Sequence, residues 1–80
     1  MTENQIQNYL QNIKNTRNHA DRDELIYDLG DKLGWTTIQK DIFYDMYYDD
    51  PSRYSAKELL PGGVVHFDFE MRISDNVSPI

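Results

Sequence analysis

The chain has 80 residues, enough for one small domain and too few for two independent cores, and its eight Lys/Arg against fourteen Asp/Glu leave a formal charge of −6. That balance disfavours a general electrostatic hold on nucleic acid or on an anionic membrane, both of which need an excess of Lys and Arg, and it favours a basic partner. The lack of cysteine excludes a disulfide framework, a thiolate nucleophile and Cys-rich zinc sites; without the usual staples of small secreted domains, a cytoplasmic location is expected.

Nineteen residues are Leu, Ile, Val or Phe, about 24% of the chain. This exceeds the roughly 20% below which disorder sets in, so a folded domain over 1–80 is expected. No apolar run approaches the roughly 20 residues of a membrane span, and Met1-Thr2-Glu3-Asn4-Gln5 lacks the basic start and apolar core of a signal peptide.

In chain order, Thr2 and Gln5 form a capping box, and Ile6, Leu10 and Ile13 with Tyr9 follow at spacings of three and four; the pattern predicts a helix over about 3–17. Its other face is rich in Asn and Gln, poor in intrinsic helix propensity, so docking has to stabilise it. Asn18-His19-Ala20 reads as a short loop. Asp21 and Glu24 make a second capping pair, and Leu25, Leu29 and Leu33 with Ile26 form a stripe closed by Gly34 in the C′ position, predicting a helix over about 22–33. Trp35 follows as the core anchor where the second and third elements meet.

Thr36 and Gln39 cap a third candidate helix, about 37–49, with Ile38, Ile42, Phe43, Met46 and Tyr47 on its apolar side. Residues 41–49 also alternate in the strand manner, so helix is favoured with strand left open. Asp50-Pro51-Ser52 breaks the element, Ser55 with Glu58 caps a helical turn through Leu60, and Pro61-Gly62-Gly63 stops it. Over 64–73, Val65, Phe67, Phe69, Met71 and Ile73 alternate with Val64, His66, Asp68, Glu70 and Arg72, which predicts a half-buried strand. The expected fold is therefore α+β: three to four short helices, then a C-terminal strand and a loose tail over 74–80. A lone strand needs a partner, which would be segment 41–48, a short strand before Pro61 in a hairpin, or another chain, making 64–73 a homodimer or partner-docking edge.

Charge is concentrated in the second half: five basic and six acidic residues lie in 1–40, three and eight in 41–80. Its focus is Asp41 to Asp50, with four Asp, three Tyr and no cation. On a helix, Asp41, Asp45 and Asp49 form one stripe at i, i+4 and i+8, with Tyr44 and Tyr48 beside it. Each like-charge i, i+4 pair costs about 0.2–0.5 kcal/mol, and carboxylates near a helix C-terminus oppose the dipole. Such a patch suits recognition of a basic protein: Asp41, Asp45, Asp49 and Asp50 supply the field, Tyr44 and Tyr48 the contact area. The bland reading is a solvated acidic face whose tyrosines cover core.

The stretch Asp45-Met46-Tyr47-Tyr48 with Pro51-Ser52 resembles, over fewer than ten residues, a tyrosine-pair segment of nuclease-colicin immunity proteins, which are similar in length and acidity. The resemblance implies acidic residues and tyrosines set against a basic toxin. Those proteins are four-helix folds, from which a strand at 64–73 departs.

Other chemistry is sparse. His19 and His66 belong to no visible nucleophile-and-base arrangement, Asp21-Arg22-Asp23-Glu24 lacks the spacing of a calcium loop, and Pro61-Gly62-Gly63 lacks the Lys-Ser/Thr of a phosphate loop. No enzyme activity, cofactor or metal is expected. The expected function is a small acidic protein-binding module of the inhibitor kind, such as an antitoxin, an immunity protein or a phage or plasmid antagonist, occupying a basic surface of a partner such as a nuclease. Two alternatives stand beside it. One is a helix-turn-helix-like DNA-binding regulator built on 22–33 and 37–49, against which Asp41, Asp45 and Asp49 would repel phosphates. The other is a self-assembling structural subunit joined through 64–73.

Overall fold

A computed structural model describes residues 1–76. The chain forms five helices, α1 (Glu3–Asn15), α2 (His19–Lys32), α3 (Thr37–Asp49), α4 (Ala56–Leu59) and α5 (Val64–Asn76), with a 3-10 turn at Pro51–Arg53. The α+β expectation is overturned: among the described residues there is no strand.

The first three helices form where their caps and stripes place them. At α1 the Gln5 amide donates to Thr2 Oγ1 at 3.2 Å while the Thr2 amide donates to Gln5 Oε1 at 2.8 Å, so both halves of the capping box close. Thr36 and Gln39 repeat this at α3, with bonds of 3.2 and 2.9 Å, and helix prevails over strand for 41–49. α2 begins three residues earlier than its sequence suggests: Asn18, rather than Asp21, is the N-cap, accepting from the Asp21 amide at 3.1 Å. Asp21 is thereby placed in the first turn, where its charge suits the dipole. Gly34 follows the C-cap Leu33 with φ +78°, a left-handed conformation that favours glycine.

Segment 64–73 is helical because its alternation contains a second period. Val65, Phe69 and Ile73 are spaced by four, so they share a helical face as readily as a strand face. The two readings differ over Phe67 and Met71, which a strand would bury and the helix leaves 64% and 57% exposed, whereas Phe69 is 1% exposed and Val65 fully buried. A helix also satisfies its own backbone, which a solitary strand cannot. Two polar residues of the alternation meet neighbours: a His66 ring nitrogen lies 2.9 Å from the Leu59 carbonyl oxygen, and Asp68 lies 3.3 Å from Arg53 as an ion pair, its buried Oδ2 making no hydrogen bond. With no strand there is no edge through which 64–73 could pair with 41–48 or serve as the seam of a homodimer. Of the tail expected over 74–80, residues 74–76 continue α5 and 77–80 lie outside the described residues.

The helices close a ring. α1 packs on α2 and α4, α3 on α2 and α5, and α4 on α5. Ile6, Ile13, Ile26, Leu29, Phe43, Leu59, Val65 and Phe69 fill its centre at 1% exposure or less. Trp35 bridges the two sides of the core, edge-on to Phe43 at 5.2 Å and to Phe69 at 5.0 Å. Two close approaches depend on missing side chains: a Cβ at Gly30 would meet the Lys40 stem at 2.5 Å, and one at Gly63 would meet the Glu58 carbonyl oxygen at 2.2 Å.

Candidate functional site: the tyrosine and aspartate seam of α2 and α3

The four aspartates expected to form the acidic patch do share one helix and its end. Asp41, Asp45, Asp49 and Asp50 are all exposed, and among the described residues none is ion-paired. Ile42, Phe43, Met46 and Tyr47 turn the opposite side of α3 into the core. Asp41 Oδ1 accepts from the Tyr27 hydroxyl at 2.6 Å, and Asp50 Oδ1 accepts from Ser52 Oγ at 2.8 Å.

Tyr44 and Tyr48 are more constrained than free contact residues. Both are half-buried, and both donate to Asp23, Tyr44 to Oδ2 at 3.1 Å and Tyr48 to Oδ1 at 2.6 Å. His19 sits one turn before Asp23, with its Nε2 at 3.5 Å from that carboxylate and its ring 5.2 Å from Tyr48. The rings of Tyr27, Tyr44 and Tyr48 succeed one another along the seam at 5.6 and 4.9 Å. Lys40 Nζ pairs with Asp31 at the end of the row.

The hydroxyls respond to these neighbours. The bond to Asp41 is the main cause pushing Tyr27 up to about 12, with burial second. Burial leads for Tyr48, also raised to about 12, followed by its bond to Asp23. Tyr44 is raised by desolvation and by Asp23. At neutral pH every hydroxyl of the seam is therefore a donor, and the carboxylates are acceptors.

The sequence reading found the α3 side of this seam and missed the α2 side: His19, Asp23, Tyr27 and Asp31. A signal was present. These four residues recur at intervals of four, as do Lys40, Tyr44 and Tyr48. Two consecutive helices joined by a short connection run antiparallel, so Asp31 meets Lys40, Tyr27 meets Tyr44 and Asp23 meets Tyr48. Tyr9 of α1 makes a similar bond to Asp28 of α2, at 2.5 Å.

Among the described residues no cluster of His, Cys, Asp and Glu is arranged to hold a metal ion, and no helix is long and apolar enough to cross a membrane. The site presents a row of carboxylates flanked by hydrogen-bonded phenol rings, on a small all-helical domain. No family model, no curated protein and no solved structure matches the chain. The likeness to immunity proteins extends no further than the residues already quoted.

Proposed function

We propose that the chain is a small acidic protein-binding module of the inhibitor kind, whose α3 edge occupies a basic surface of a partner protein. The observation that supports this is the exposed row Asp41, Asp45, Asp49 and Asp50, uncompensated by any cation among the described residues. Like charges at i, i+4 cost helix stability; at Asp41 the cost is partly offset by the bond from Tyr27, but Asp45 and Asp49 accept no side-chain hydrogen bond among the described residues, and carboxylates kept at such a cost suit recognition. The Tyr27, Tyr44 and Tyr48 rings beside it are fixed by hydrogen bonds to Asp41 and Asp23, so little side-chain entropy remains to be lost on docking. The same carboxylates on α3 would repel DNA phosphates if it were a recognition helix.

The test is affinity capture from nuclease-treated lysate with the wild-type chain beside the D41N/D45N/D49N variant, followed by titration of the captured protein at rising salt. A basic protein held by the wild type, lost by the variant and released steeply by salt supports the reading. Equal capture by both chains overturns it and leaves the row a solvated face.

A further inference from the structure

Beside the C-terminal end of α3 lies a groove whose charged members are cations rather than carboxylates. A groove of about 480 Å³ runs between α1 and the end of α3, continuing over the 3-10 turn. Leu10, Tyr47, Tyr48 and Tyr54 form its apolar and aromatic wall, and Lys14 and Arg22 are its charged members. In a chain of net charge −6 these two cations pair with no carboxylate among the described residues.

Arg22 is half-buried and held in place: its Nε donates to the Thr16 carbonyl oxygen at 3.0 Å, and its guanidinium carbon lies 5.9 Å from the centre of the Tyr48 ring. Burial raises the Tyr47 hydroxyl and the Arg22 charge opposes that rise, as it does at Tyr48. Lys14 lies in the last turn of α1. A fixed guanidinium fork matches a carboxylate or phosphate, a lysine adds a point charge, and half-buried Tyr48 with the accessible rims of the core residues Tyr47 and Tyr54 gives a planar body an aromatic wall.

We propose that this groove binds a small aromatic anion, its ring against Tyr47, Tyr48 and Tyr54 and its carboxylate or phosphate head between Arg22 and Lys14. The volume suits a small molecule, since ligand sites of about 300–1,000 Å³ are the usual range. A protein partner would need roughly 800 Å² from each side, far more than the groove offers. The site shares Tyr48 with the α2–α3 seam but uses none of the α3 carboxylates, so its anion titration and the capture test on the acidic row can fail separately.

The experiment is an amide-resolved NMR titration of the full chain with benzoate, phenyl phosphate, the neutral benzyl alcohol and inorganic phosphate. Saturable shifts at Leu10, Lys14, Arg22, Tyr47 and Tyr54 are expected with one or both aromatic anions, with Kd about 1 mM for so few ligand atoms. The two anions separate a carboxylate site from a phosphate site. Lys14→Gln, an exposed change between residues of similar helix propensity, is expected to weaken binding about threefold; Lys14→Gln with Arg22→Gln is expected to weaken it about tenfold. The proposal is overturned by any of four results: no saturation by either anion at tens of millimolar, equal binding of benzyl alcohol, the same shifts at the same midpoint with inorganic phosphate, or an unchanged Kd in Lys14→Gln. That single variant keeps the test decisive if loss of the Arg22 bond to Thr16 perturbs the fold.

Discussion

At the scale of single residues, tyrosine in this chain acts more as a donor that ties helices together than as bare apolar surface. Tyr9, Tyr27, Tyr44 and Tyr48 each give a hydroxyl proton to an aspartate on a neighbouring helix. These bonds require the neutral phenol, and their pH dependence follows. An unfolded tyrosine titrates near pH 10, whereas Tyr27 and Tyr48 are pushed up to about 12 in the fold. Between those values the folded chain holds protons that the unfolded chain has released, so stability is full below about pH 10 and is lost as pH climbs towards 12. Chemical denaturation at stepped pH is expected to show that decline, and Tyr48→Phe to make it shallower while costing about 1 kcal/mol at neutral pH. The place of Tyr44 and Tyr48 beside the aspartate stripe was legible in the sequence. Their loss of freedom was not, because Asp23 lies 25 residues before Tyr48 and only the antiparallel pairing of α2 with α3 brings them together.

At the scale of elements, two of the four expected caps were legible, Asp21 having yielded to Asn18 and Ser55 making no side-chain cap bond, and the last helix was not. Thr2 with Gln5 and Thr36 with Gln39 are local signals whose partners lie three residues away, and both close as their sequence implies. α5 has no such device: its β-branched and aromatic residues favour strand locally, and the outcome turns on whether a distant segment can pair with it. The choice can be checked by substitution. A strand would place Phe67 and Phe69 on one face, so truncating either would cost alike. The helix predicts that Phe69→Ala lowers unfolding free energy by about 3–5 kcal/mol while Phe67→Ala changes it by less than about 0.5 kcal/mol, measured by urea denaturation. On α3, Asp45→Asn with Asp49→Asn removes two like-charge contacts, and a gain of about 0.5–1 kcal/mol is expected in the same assay.

At the scale of the whole molecule, the ring of helices depends on one tight corner and one long-range closure. The corner is Gly63, where α5 turns away from α4 over the Glu58 carbonyl. Its backbone has no positive φ, so Gly63→Ala acts through collision alone; an expected cost of about 1–3 kcal/mol in thermal or urea unfolding separates this from a merely flexible turn. The closure is α1 on α4, where the Ala56 amide reaches Gln7 Oε1 at 3.4 Å across 49 residues of sequence. No local pattern announces a contact of that span, whereas the unevenness of charge, a whole-chain property, pointed directly to α3.

Trp35 gives this architecture a built-in optical readout. It is the chain's sole tryptophan and lies against Phe43 and Phe69, so its fluorescence follows the side of the ring where α3 meets α5. Tyrosine, read through phenolate absorbance, is weighted towards the neighbouring α2–α3 seam, where three of the six tyrosines lie in a row. One unlabelled sample thus carries two reporters on two junctions of one core. Coincident transitions would mark the ring as a single cooperative unit, and a fluorescence change that precedes the phenolate change would mark α5 as the helix that leaves first.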